Sequence, residues 1–198
     1  MFNKSANRLT ESLIGSGVVD RADFELYRFG FEIGFAIIAN ILTTVAISFL
    51  FRMPLESLLF LVAFIPLRSY AGGFHASNHF RCYWLSIIAV IAVLFSVRFI
   101  ATIDSVLIFV VIGGICAAIM FALVPAQDAN RPLEEIEIRV YGRRARIVLC
   151  VEYIAMIVLS VLGLASAAAV VFCAILLSGV AVFAGAFKNF IKPITPIS

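Results

Sequence analysis

From Ile147 to Phe187 the only charged residue is Glu152. As one helix rising 1.5 Å per residue, this stretch would measure roughly 60 Å, about twice the ~30 Å hydrocarbon core of a bilayer. It must fold back on itself, and the segment from Gly163 to Ser166 offers the turn. The same criterion places a first span at about 31–51, a second at about 54–70, a third at about 83–102 and a fourth at about 105–126. The fifth and sixth lie on either side of Gly163. The second is short or irregular, because its uncharged part is confined between Glu56 and Arg68, and little more than Asp104 separates the third from the fourth.

With 63% hydrophobic and 14% charged residues and a mean hydropathy of +1.11, the main solvent of this chain is lipid. The expectation is an all-α polytopic membrane protein with six transmembrane helices. Its polar segments are too short for a separate soluble domain, so residues 1–198 read as a single membrane-embedded domain whose function sits in or beside the spans. Residues 1–30 form a cytoplasmic or interfacial segment. Lys4, Arg8, Glu11, Asp20, Arg21, Asp23, Glu25 and Arg28 interrupt it, so no cleaved secretory signal is expected. Phe2, Ala6, Leu9 and Leu13 recur at helical spacing opposite Lys4, Asn7, Arg8 and Glu11. That pattern predicts a helix lying in the interface plane, or one packed on the protein's own spans.

Charge fixes the expected orientation. With six spans and the N-terminus inside, Lys4, Arg8, Arg21, Arg28, Arg68, Arg81, Arg131, Arg139, Arg143, Arg144, Arg146, Lys188 and Lys192 face the cytoplasm, and only Arg52 and Arg98 lie outside. Dropping the second span alone inverts that bias. Both termini, and the polar segment between the second and third spans, are therefore expected on the cytoplasmic side.

That segment, Arg68 to Ser86, holds both histidines of the chain and one of its four cysteines. A reducing compartment argues against a structural disulfide for Cys82. Cys116, Cys150 and Cys173 sit in apolar runs, where cysteine behaves as a small hydrophobe. Cys82 instead follows Arg81 and lies close to His75 and His79, a setting that favours a thiolate and supplies a proton acceptor. A zinc site would need further ligands, and no second cysteine or ligand-spaced carboxylate accompanies them here, so no metal and no cofactor is expected. The bland alternative is a pair of interfacial histidines and a thiol beside the anchors Tyr83 and Trp84.

Three motifs carry a family pattern: Tyr27 to Glu32 (YRFGFE), Arg68 followed by Gly72, Gly73, His75 and Cys82, and Pro125 to Pro132 (PAQDANRP). In these the chain resembles the accessory gene regulator B family, bacterial cell-membrane cysteine endopeptidases that process quorum-sensing pheromone precursors. The resemblance covers most of the chain. It implies that Cys82 and His75 are the catalytic pair and that Arg68 and Gly73 match other positions tied to activity. Gln127 and Asp128 in the third motif are carried over as supporting or substrate-binding positions. It also implies a short propeptide as substrate, loss of the propeptide's C-terminal tail, formation of a cyclic thiolactone or lactone, and a homodimer. Nucleic acid is not an expected partner.

The spacing imposes a constraint of its own. Positions seven apart in a straight helix share a face but are roughly 10 Å apart along the axis, whereas a thiol and its base must approach within about 3–4 Å. His75 and Cys82 therefore cannot both lie in one regular helix. Either Gly72 and Gly73 open a loop that brings His75 back, or the helix breaks near Ser77 and Asn78. On a helix His79, three residues before Cys82, is the better-placed base and stands as the rival. Ser77 and Asn78 are candidates to orient the histidine or to donate to an oxyanion. Arg68 would hold an acidic peptide tail, assist the oxyanion or snorkel to the interface.

The stretch from Gln127 to Arg146 is the longest connection between spans. Leu133, Ile136 and Val140 predict an amphipathic cytoplasmic helix after Pro132, with Glu135 and Arg139 paired on it. It would anchor topology or dock an acidic peptide. Glu32, Arg98 and Glu152 are ionisable groups near or inside spans, and all three are expected to pair or snorkel. Gly30 and Gly34 permit close helix contact. The competing reading from another class is a small polytopic transporter or exporter without peptidase chemistry, although no internal repeat supports it.

Overall fold

The computed structural model describes residues 3–73, 79–102, 106–126 and 134–191, without the side chains of 79–80 and 188–191. Among these residues the chain is all-α. The helices are α1 (Asn3–Gly15), α2 (Phe24–Phe51), α3 (Pro54–Ala71), α4 (His79–Ile100), α5 (Val106–Leu123), α6 (Glu135–Val161) and α7 (Ala165–Ile191), with a 3-10 turn at Arg21–Asp23.

Among the described residues five segments are long and apolar enough to cross a membrane: Arg21–Phe51, Pro54–Ala71, Arg81–Ile100, Val106–Leu123 and Ala165–Phe187. The second expected span is indeed short, 18 residues with Pro66 inside it, which gives a length of about 27 Å. The largest departure from the expected layout is α6. The helix predicted after Pro132 and the fifth span form one unbroken helix of 27 residues, about 40 Å long. Its first half carries Glu135, Glu137, Arg139, Arg143, Arg144 and Arg146. No Glu135–Arg139 pair forms. The start of α6 is instead closed by a capping box, in which the Glu134 backbone N–H donates to Glu137 Oε2 at 3.2 Å.

Helix ends follow local chemistry. Gly163 (φ +74) takes the left-handed position after α6, and Leu164 N donates to the Leu159 carbonyl at 3.0 Å, so the apolar run folds back where its glycine allows. After α2 the same closure is made by Arg52 (φ 56), with Met53 N donating to the Ser48 carbonyl at 2.9 Å and Pro54 opening α3. Arg98 Nη2 donates to the Phe51 carbonyl at 2.8 Å, so this span-end cation caps a helix terminus.

The chain divides into two compact units. The smaller comprises Met1–Ile47 and Ala76–Ile88. In it α1 buries Ala6 and Thr10, while Leu9 remains 39% exposed. Of the apolar face read from the sequence, Ala6 is buried, Leu13 half-buried and Leu9 exposed, and Phe2 lies outside the described residues. Small residues win the packed positions because they allow close approach. Arg28 pairs with Glu25 and also donates to Asn3 Oδ1 at 3.2 Å.

The larger unit comprises Ser48–His75 and Ala89–Ser198. Here α7 is the central helix, packed by α3, α5 and α6, and it is buried on all sides from Ala168 to Ile175. Gly113 admits Met156 and Phe172, Gly114 admits the Tyr153 ring, and Phe109 meets Phe172 edge-on with ring centroids 5.3 Å apart. Tyr153 Oη donates to the Val110 carbonyl at 2.9 Å, which satisfies its hydroxyl inside an apolar bundle.

Candidate active site

Cys82 lies in the first turn of α4 and its thiol is exposed. The turn is held within the smaller unit: Tyr83 Oη and Thr43 Oγ1 of α2 are 2.8 Å apart, and Ser86 Oγ donates to the Cys82 carbonyl at 3.0 Å. The other cysteines have different surroundings. Cys173 is buried, Cys116 Sγ donates to the Ile175 carbonyl at 3.7 Å, and Cys150 is exposed on the apolar half of α6.

In the larger unit, the chain leaving α3 makes a hydrogen-bonded junction. Gly72 forms a parallel bridge with Ala126; Gly73 N donates to the Ala126 carbonyl at 2.9 Å, and Ala126 N donates to the Ala71 carbonyl at 2.9 Å. Arg68 Nη1 donates to the Gly72 carbonyl. Both glycines have positive φ, +70 and +106. A β-carbon at Gly72 would stand 2.3 Å from the Ala126 carbonyl oxygen, and one at Gly73 would stand 2.5 Å from that of Ala181 on α7. Only glycine fits either position. The helical path of α3 therefore ends at the glycines, and the chain between Gly73 and His79, on which the His75–Cys82 spacing turns, lies outside the described residues.

His75, Ser77, Asn78, Gln127 and Asp128 lie outside the described residues, as does the side chain of His79. Arg68 and Gly73 meet at the Gly72–Ala126 junction.

Pro125, which opens the third motif, completes this junction with Gly142 and Arg146 of α6. The Val124–Pro125 peptide is cis. Gly142 of α6 faces Pro125, where a β-carbon would stand 3.0 Å from Pro125 Cδ. Arg146 donates through Nε to the Phe121 carbonyl and through Nη2 to the Val124 carbonyl, both at 3.2 Å, with its guanidinium 5.2 Å from the Phe121 ring centroid. Arg144 stands over the Tyr70 ring at 5.6 Å. The available signal was weak: Pro125 and Gly142 punctuate otherwise helical patterns. Arg146 satisfies orphan carbonyls at the end of α5. Arg146→Ala is expected to cost about 1–3 kcal/mol, read as a lower thermal unfolding midpoint. Arg146→Lys should recover only part of it, because lysine cannot make the forked contact. A midpoint unchanged in Arg146→Ala would remove this role.

Among the described residues no group of histidine, cysteine and acidic side chains could hold a metal ion. The family model described as accessory gene regulator B matches residues 3–190. The chain belongs to the accessory gene regulator B family. No curated protein and no solved structure matches it. The accessory gene regulator B match covers α1 to α7 nearly entirely, so the segments carrying Cys82, the Gly72–Gly73 junction and the charged half of α6 all fall inside it. Family membership supports a role in processing quorum-sensing peptides, with a propeptide of the kind this family processes as partner, and the apolar helices support a place in a membrane.

Proposed function

We propose that this protein is a membrane-embedded cysteine endopeptidase that removes the C-terminal part of a short quorum-sensing propeptide and closes the remainder into a thiolactone or lactone. The observation that carries this reading is the position of Cys82: an exposed thiol in the first turn of α4, inside a chain whose family processes such peptides.

The chemistry is acyl transfer. His75 accepts the Cys82 proton, and the thiolate attacks the scissile carbonyl. The tetrahedral intermediate collapses as the imidazolium gives that proton to the leaving amine, which departs with the tail. The acyl group is left as a thioester on Cys82. An internal cysteine of the peptide then attacks this thioester, its proton returns to Cys82, and one thioester replaces another at nearly equal free energy. Ring closure thus needs no nucleotide. Water must be kept from the thioester, and the membrane boundary serves that purpose.

Arg139, Arg143 and Arg144 are exposed on the first half of α6 together with Ile136 and Val140. That mixed basic and apolar face suits an acidic, amphipathic peptide. The excess of Lys and Arg on one side of the expected spans supports a cytoplasmic position for this face, both termini and Cys82.

The test is co-expression with a candidate propeptide carrying an internal cysteine and an acidic tail, read by intact mass. His75→Ala should abolish cleavage and His79→Ala should retain it. The reverse pattern would make His79 the base. Reversing Arg139 and Arg143 to Glu should weaken processing, with partial rescue when the tail's acids become lysines. Full processing by both histidine variants would remove histidine from the mechanism.

A further inference from the structure

We infer that Glu152 and Ser178 form a buried site for a small monovalent cation, a proton or an alkali ion, inside the helix bundle of the larger unit. The inference is independent of the peptidase chemistry and uses residues that chemistry leaves unassigned.

Glu152 is 8% exposed and its Oε2 has no hydrogen-bond partner; Ser178 is 0% exposed and its Oγ has none either. Helical hydroxyls elsewhere satisfy themselves on the carbonyl four residues back, as Ser69, Ser86 and Ser160 do. Ser178 does not, so its oxygen is available to something else.

The two groups come to similar depth. A β-carbon at Gly113 would touch both Met156 and Phe172, which puts those two residues at one level. Glu152 lies four residues from Met156 and Ser178 six from Phe172, both measured away from the Gly163 turn. These steps are roughly 6 Å and 9 Å along the axis, which leaves the two within about one turn.

They also face the same way. Glu152 belongs to the stripe that α6 buries, with Leu149 and Met156, whereas its neighbours Arg146 and Tyr153 turn to the carbonyls of α5. On α7, Gly179 faces Cys116 of α5, and Ser178 is about 100° round from it. Ser178 is thus on the side of α7 that Gly73 approaches at Ala181. Both polar groups point to the junction of α3, α6 and α7.

No described cation neutralises the carboxylate. α5 has no charged residue from Val106 to Leu123, and α7 has none from Ala165 to Phe187. Their titratable groups are Cys116, which donates to Ile175, and the buried Cys173. α3 brings Glu56 in its first turn, Tyr70, which lies under Arg144, and Arg68, which donates to the Gly72 carbonyl. On α6 itself Cys150 is exposed, Tyr153 is bonded to Val110, and Arg146 is committed to two carbonyls. A bare carboxylate in such surroundings is strongly unfavourable, and a bound cation relieves it. Ser178 Oγ supplies a second oxygen, as a ligand to an alkali ion or an acceptor for the acid proton.

The test uses the full-length protein in lipid nanodiscs and reads the thermal unfolding midpoint by circular dichroism. Sodium is exchanged for N-methylglucamine at constant ionic strength, and separately the buffer is moved from mildly acidic to mildly alkaline. Wild type should gain about 3–5 °C for each tenfold rise in the cation that binds. Dependence on sodium assigns an alkali ion; dependence on acid alone assigns a proton. Glu152→Gln should abolish whichever dependence wild type shows. Ser178→Ala keeps the carboxyl and should need more cation for the same gain, which preserves a readout if the glutamine variant fails to fold. The inference is overturned if wild type responds to neither cation, if Glu152→Gln responds as wild type does, or if the Ser178→Ala curve superimposes on wild type. None of these outcomes bears on peptide cleavage, which is measured separately.

Discussion

Cys82→Ala is expected to lower cleavage of a co-expressed propeptide by more than about a thousandfold, while a variant with alanine at Cys116, Cys150 and Cys173 together retains it. The contrast follows from surroundings. The three other thiols lie among apolar side chains, with Cys173 buried and Cys116 bonded to the Ile175 carbonyl. Cys82 is exposed on α4 and follows Arg81. Intact mass of the peptide gives the rate, and a peptide adduct on wild type that is missing from Cys82→Ala would identify the thioester. Persistent cleavage by Cys82→Ala would end the mechanism proposed here, whatever the histidine variants do.

Gly73→Ala is expected to destabilise the larger unit by about 2–4 kcal/mol and to lower its unfolding midpoint by roughly 6–12 °C. The new β-carbon would stand 2.5 Å from the carbonyl oxygen of Ala181, 2.8 Å from its carbon and 2.9 Å from the Val182 nitrogen. All three are backbone atoms of the central helix and cannot swing aside. A φ of +106 adds strain for any L side chain. Gly30→Ala is the control, since nothing lies within 4 Å of its β-carbon position, and its midpoint should not fall. The resemblance tied Gly73 to activity, and the packing supplies a physical reason: it seats the chain leaving α3 against α7. A Gly73→Ala protein that unfolds at the wild-type temperature would refute that role.

The broad layout was legible because bilayer thickness converts apolar run length into helices, and Gly163 turned the chain where the run became too long. The continuity of α6 was not legible. Its charged first half reads as a loop helix and its second half as a span, and the capping box at Glu134 and Glu137 shows only that a helix starts, never how far it runs. On α1 the position of Ala6 was legible, whereas the burial of Thr10 was not, because hydropathy ranks Leu9 above it. At the site, the end of α3 at Gly72 and Gly73 was readable because paired glycines break a helical pattern. The partners of those glycines were not. Ala126 and Ala181 are remote in sequence and chemically plain, and a contact made by their backbone leaves no side-chain signature.

The bridge between Gly72 and Ala126 ties two connections together mechanically. Ala126 is the residue before the stretch beginning at Gln127, and Gly73 stands two residues before His75. Two backbone hydrogen bonds, Gly73 N to Ala126 O and Ala126 N to Ala71 O, join them at 2.9 Å each. The last described residue before the α5–α6 connection and the last one after α3 are thus held by shared backbone hydrogen bonds, so neither can shift without breaking a bond of the other.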